Sequence, residues 1–97
     1  MPSYVSLLNF TEQGAKNAGD TLKRAEDFRV LVERLGGKIR EHLYTLGECD
    51  IIIVMEFPDD EAEATAMLRL ATLGNVRTKS MRAFTDEEAA TIIRRLD

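Results

Sequence analysis

Residues Lys38 to Phe57 constrain this chain more than any other stretch. They read as a strand over Lys38–Leu46, a tight turn at Gly47-Glu48-Cys49-Asp50, and a second strand over Ile51–Phe57. The second strand, Ile-Ile-Ile-Val-Met-Glu-Phe, is apolar on both faces. A half-buried strand alternates instead. The sheet therefore needs cover above and below, and 97 residues supply one domain, residues 1–97, with little material for two covers.

The flanking segments place that strand pair in a recognisable order. Ser3–Phe10 reads as a first strand, with Thr11 as the cap of a short helical turn over Glu12–Asn17. Gly19-Asp20 breaks the pattern, and Asp20 is expected to cap a helix over Thr21–Leu35. Leu22, Ala25, Phe28, Leu31, Val32 and Leu35 recur at three- and four-residue spacing there and form one stripe. Gly36-Gly37 stops it. Pro58-Asp59-Asp60 starts a second helix over Asp60–Leu73, with Ala66, Met67, Leu70 and Leu73 inward and Gly74 closing it. Val76–Phe84 is a fourth strand. Thr85 with Glu88 forms a capping box that opens a last helix over Asp86–Leu96. The order β-α-β-β-α-β plus a terminal helix is the α+β, ferredoxin-like arrangement with an antiparallel sheet.

Composition narrows the function classes. The net charge is −4, with 13 basic residues scattered among 17 acidic ones. Nucleic-acid binding requires clustered Lys and Arg, so nucleic acid is not an expected partner. The longest apolar run falls far short of the roughly 20 residues that span a bilayer, so no membrane partner is expected. Met-Pro-Ser-Tyr lacks a secretory signal pattern. The single cysteine forbids an internal disulfide, and a cytoplasmic location is expected.

Alternation sorts each strand into two sets. Ile51, Ile53, Met55 and Phe57 are assigned to the helices, together with Ile39, Leu43, Met81, Ala83, Val5 and Leu7. The opposite set contains Tyr4, Ser6, Leu8, Phe10, Arg40, His42, Tyr44, Leu46, Ile52, Val54, Glu56, Thr78, Ser80, Arg82 and Phe84. Both long helices lie on one face in this fold. The other face would expose an apolar patch that soluble monomers seldom tolerate. A second copy of the sheet would cover it: at about 25 cal/mol per Å², an interface of roughly 1,600 Å² grosses tens of kcal/mol before association costs. The expected assembly is a homodimer, or a higher homo-oligomer, whose sheets enclose a partly polar interior lined by Ser6, His42, Tyr44, Glu56 and Arg82.

Tyr4–Thr11 (YVSLLNFT), Gly14, Gly47-Glu48-Cys49-Asp50, Glu56–Asp60 (EFPDD) and Leu73–Thr85 (LGNVRTKSMRAFT) resemble the GYD domain family. The resemblance covers nearly the whole chain and implies a dimeric α/β barrel. It implies no activity. The glycine of the family motif is Gly47 and the aspartate is Asp50, while Cys49 stands where the family carries tyrosine.

The residues that could carry chemistry each have a simpler explanation. Asp50 suits a turn, bonding nearby backbone N–H groups. His42, the one histidine, lacks the company that zinc requires, and no metal site is expected. Glu56 and Arg82 are expected to pair with each other, or Arg82 to anchor a ligand, with a small polar or aromatic molecule as the expected partner. The neighbours of Cys49, Glu48 and Asp50, disfavour a reactive thiolate. The carboxylates Asp59, Asp60, Glu61 and Glu63 fit a helix start. No phosphate loop, dinucleotide fingerprint or nucleophile elbow is present. No catalytic residue and no cofactor is assigned. The reading is a small-molecule-binding or interaction module. The alternative is an enzyme using the barrel interior: a cofactor-free oxygenase or isomerase in which His42, Tyr44 and Arg82 converge, or a haem-handling protein with His42 as axial ligand.

Overall fold

The computed structural model describes residues 1–97. Its elements are β1 (Ser3–Phe10), α1 (Glu12–Lys16), a 3-10 turn (Ala18–Asp20), α2 (Thr21–Arg34), β2 (Lys38–Tyr44), β3 (Ile51–Glu56), α3 (Asp60–Leu73), β4 (Val76–Ala83) and α4 (Asp86–Arg94). The strands form one antiparallel sheet in the order β2-β3-β1-β4. This is the ferredoxin-like α+β architecture. No helix is long and apolar enough to cross a membrane.

Local chemistry sets most of the element ends. The Thr11 side chain accepts a hydrogen bond from the Gly14 N–H, and that of Asp59 from the Ala62 N–H. Each satisfies one of the donors a helix start leaves open. Gly74 ends α3 with φ of 75°, in the left-handed region open to glycine. Thr85 and Glu88 form the reciprocal capping box. Asp20 differs from expectation. It makes no side-chain cap, because the 3-10 turn carries the chain directly into α2. The turn after β2 is also longer than expected: β2 ends at Tyr44, and Leu46 is fully exposed in the Thr45–Asp50 loop.

The helices cover one face, and the strand register shows which. The core holds Tyr4, Leu8, Ile51, Ile53, Met55 and Phe57 from the sheet side against Phe28, Val32 and Ala66 from the helices. Ser6 is also completely buried. The assignment of β3 is as expected, while β1 and β4 are inverted. Tyr4, Ser6 and Leu8 point to the helices, and Val5 and Leu7 point away. Pairing carries the inversion into β4, since Tyr4 faces Arg82, Ser6 faces Ser80 and Val5 faces Met81. In β2 a register irregularity between Ile39 and Glu41 adds a residue. A bulge reverses the alternation beyond it. Ile39 pairs with Met55 and His42 with Ile53, so both lie on the helix side, and Leu43 is turned outward.

α1 is clamped to the α3–β4 junction. The Thr11 N–H donates to the Asn75 carbonyl at 3.0 Å, and the Thr11 hydroxyl to that of Gly74 at 2.6 Å. The approach is so close that a Cβ on Gly14 would sit 1.9 Å from the Asn75 oxygen. Backbone cannot yield as a flexible side-chain tip does. Gly14→Ala is therefore expected to destabilise the fold by about 2–4 kcal/mol, measured by urea unfolding. Gly19→Ala, at a site with open space, serves as the control and should change stability by less than about 1 kcal/mol.

Candidate functional site

The face of the sheet away from α2 and α3 carries two neighbouring rows of side chains. One row runs Leu43, Ile52, Leu7, Lys79; the next runs Glu41, Val54, Val5, Met81. Six aliphatic groups are thus contiguous, with Glu41 at the β2 rim and Lys79 at the β4 rim. Leu43 and Met81 are each half exposed. No helix packs over this face: α2 contacts β2, α3 contacts β4, and α4 makes no substantial contact with any other element. α4 also exposes Ile92 and Ile93, with Leu96 just beyond it.

The five residues expected to share one interior are dispersed. Ser6 lies under α3, its hydroxyl 2.6 Å from Ser80 Oγ and 3.5 Å from Met67 Sδ. It is fully buried, so nothing reaches it from outside. His42 and Tyr44 stack at 5.2 Å on the helix side of β2. Glu56 is on the uncovered side and pairs with Arg40 at 3.3 Å, not with Arg82. Arg82 lies on the helix side of β4. It donates to the Ser3 and Ala83 carbonyls, sits over the Phe84 ring at 4.6 Å and pairs with Glu88 at 3.7 Å. β2 and β4 are opposite edges of the sheet. With strands about 4.8 Å apart, His42 and Tyr44 are roughly 14 Å from Arg82 across the sheet. A trio of these three does not assemble within one subunit.

Asp50 has a role that spacing alone did not specify. Its Oδ2 accepts from the Phe10 N–H at 2.8 Å, and its own N–H donates to the Leu8 carbonyl at 2.9 Å. Its carbonyl accepts from Thr45 N–H at 2.9 Å, and Asn9 Nδ2 reaches the Glu48 carbonyl at 2.9 Å. Asp50 thus continues the β1–β3 ladder by one side-chain bond and ties the loop to β1, forty residues away. Cys49 sits beside Thr45, whose hydroxyl donates to the Cys49 carbonyl.

A polar strip also runs beneath α3. Tyr4 donates its hydroxyl to Asp60 Oδ1 at 2.5 Å. Burial, reinforced by that carboxylate, pushes the Tyr4 phenol up to about 12. Burial also holds the Glu63 carboxyl above its ordinary range. The Asp60 charge adds to this, while the Ser80 hydroxyl pulls it back. Glu63 Oε2 is buried without a hydrogen-bond partner. His42 shifts down, because burial disfavours its imidazolium.

These features define a small ferredoxin-like α+β domain with one apolar sheet face left open. The chain belongs to the GYD domain family, which it matches over residues 4–93. It is 31% identical over 84 residues to the glutamine synthetase and cystathionine beta-lyase binding protein of Thermus thermophilus, covering 86% of this chain and 88% of that protein. The fold is similar to the leucine response regulatory protein LrpA of Mycobacterium tuberculosis. That match has a TM-score of 0.56 and 15% identity, and covers 87% of this chain and 51% of the other. It is similar also to the feast or famine regulatory protein of M. tuberculosis complexed with L-methionine, at a TM-score of 0.55 and 16% identity, over 89% of this chain and 54% of that one. The chain spans about half the length of these two solved structures, and at such identity the likeness is one of fold.

Two substitutions test this account. Asp50→Ala removes the acceptor for the Phe10 N–H and is expected to cost about 1–3 kcal/mol, with Asp50→Asn costing less; chemical denaturation of the three proteins measures both. Glu63 titrates higher when folded than unfolded, so the folded state holds the proton more tightly. Stability therefore falls as pH rises from the ordinary carboxylate range through the raised folded value. Glu63→Gln should raise Tm by a few degrees at pH 7, and the gain should vanish below about pH 4, as followed by thermal melts across pH.

Proposed function

We propose that this chain works as a homodimer, two sheets packed face to face, that serves as a docking module for metabolic enzymes. The observation that carries the dimer is the uncovered patch of Leu43, Ile52, Leu7, Val54, Val5 and Met81 on a chain with 11 of its 97 residues buried. Four strands at about 4.8 Å spacing and six or seven residues at about 3.3 Å make a face roughly 19 by 22 Å. That projected area is about half the roughly 800 Å² per partner of a standard interface, before the relief of the side chains is counted. A second copy fits this face: a two-fold axis along the strands lays the β2 edge of one protomer over the β4 edge of the other, and each Glu41 then lies one row along the strands from a Lys79.

Docking onto enzymes is supported by the Thermus thermophilus relative, named for binding glutamine synthetase and cystathionine beta-lyase. With the open face used for pairing, the surface left for an enzyme is α4. Its exposed Ile92 and Ile93 lie beside one another on a helix that its own chain leaves unpartnered. Amphipathic helices dock by laying such a face into a groove. The separation of His42 and Tyr44 from Arg82 gives the cofactor-free oxygenase reading no assembled site.

Sedimentation velocity at micromolar concentration should show a dimer, and Val54→Lys, a charge at the centre of the apolar patch, should shift it to monomer. A wild-type monomer overturns the pairing. Immobilised protein should capture purified glutamine synthetase or cystathionine beta-lyase of the same organism, and Ile92→Glu should weaken that capture tenfold or more while leaving the dimer intact. A dimer that captures neither enzyme overturns the docking role alone.

A further inference from the structure

α2 and α3 diverge above the sheet and leave a cleft of about 670 Å³ between them. This lies on the helix side, opposite the face assigned to pairing, so it is independent of that assignment. Leu8, Phe28, Ile51 and Ile53 line it, and all four are buried core residues. His42 lines it too, and its Nε2 is shielded from solvent and has no hydrogen-bond partner. A buried polar atom in that condition costs free energy until something bonds it.

The charges lining the cleft are uneven. Arg24, Arg34 and Arg69 contribute three guanidinium groups against one carboxylate, Asp27. Arg24 is spent on the carbonyls of Asn17 and Gly14. Arg34 and Arg69, one from each helix, make no ion pair and no side-chain hydrogen bond, whereas Arg29 on the solvent side of α2 pairs with both Glu26 and Glu33. Guanidinium groups match carboxylates in shape and charge.

We propose that this cleft is a binding site for a small amphipathic carboxylic acid that also carries a hydroxyl. The carboxylate is held by the guanidinium at one end of the cleft, Arg34 or Arg69, the apolar body lies along Leu8, Phe28, Ile51 and Ile53, and the hydroxyl bonds His42 Nε2. The volume falls within the range of small-molecule pockets. α2 and α3 still touch one another, which bars a third helix from seating between them. The positive lining disfavours a neutral lipid.

The test uses 10-hydroxydecanoate, decanoate and decan-1-ol, titrated into the full chain below their critical micelle concentrations and followed by calorimetry. The hydroxy acid should bind with 1:1 stoichiometry per chain, several-fold tighter than decanoate, and decan-1-ol should bind at least tenfold weaker than decanoate. Arg34→Gln with Arg69→Gln should weaken both acids tenfold or more. His42→Phe should abolish the preference for the hydroxy acid while keeping decanoate binding. Circular dichroism melts confirm that each variant is folded. No binding of either acid to the folded wild type, equal binding of acid and alcohol, or unchanged affinity in the double arginine variant overturns the proposal. So does binding of a peptide of residues 85–97 in competition with decanoate, which would assign the cleft to the terminal helix of another copy.

Discussion

Antiparallel pairing of β1 with β3 decides what this protein offers to its surroundings. Once Ser6 stands opposite Ile53 and Leu7 opposite Ile52, every side chain of the two central strands is committed to one face, because a slip of one residue would exchange the faces entirely. Asp50 fixes that register from outside the ladder. Its carboxylate accepts from the Phe10 N–H just past the last paired residues, and its N–H donates to the Leu8 carbonyl. The aspartate of the Gly47–Asp50 segment therefore acts on the whole sheet. It determines that Ile52, Val54, Val5 and Leu7 are presented together on the side no helix covers.

Both faces of this sheet are apolar enough to need a cover, and the two covers differ in kind. The helix layer seals Met55 and Phe57 completely, yet it also buries the Ser6 hydroxyl, the Tyr4 phenol and an unpartnered carboxylate oxygen of Glu63. Buried polar groups of this sort hold position through hydrogen bonds and not through net stabilisation. The uncovered face has no such strip at its centre. Its aliphatic rows are interrupted only at the rims, by Glu41 and Lys79. The helix side thus spends polar groups internally, while the open side keeps an apolar centre with the Glu56–Arg40 pair at one end.

Much of this was legible in the residues, and the exceptions lie in the assignment of side chains to faces. The element order follows from apolar period and capping chemistry, both local properties. The doubly apolar β3 announced that two covers are needed. Face assignment failed in β1 because its alternate sets, Tyr-Ser-Leu-Phe and Val-Leu-Asn, are both amphipathic, and Ser6 reads as a surface residue. It is buried because Ser80 on the neighbouring strand satisfies its hydroxyl, a partner 74 positions away that no local pattern reveals. The error in β4 follows from the same inversion through cross-strand pairing. His42 and Tyr44 were misplaced for a different reason. The bulge between Ile39 and Glu41 shifts parity by one residue, and neither residue type marks it. Four of the five proposed ligand residues, Ser6, His42, Tyr44 and Arg82, do share a face. It is the helix side, and the two edges of the sheet hold them apart. Only Glu56 lies on the open side.

A layer one sheet thick gives these surfaces separate access with shared support. The open face, the inter-helix cleft and α4 touch different solvent, so occupation of one leaves the others free. The strands beneath them are nevertheless the same strands. Leu8, Ile51 and Ile53 line the cleft, while their sequence neighbours Leu7 and Ile52 form the open patch. Neighbouring residues of a strand move as one pleat. A group that pressed on Ile51 and Ile53 from the helix side would move Ile52, and with it the Leu43–Ile52–Leu7 row. Any coupling between the cleft and the open face therefore runs through β1 and β3, the strands that Asp50 locks in register.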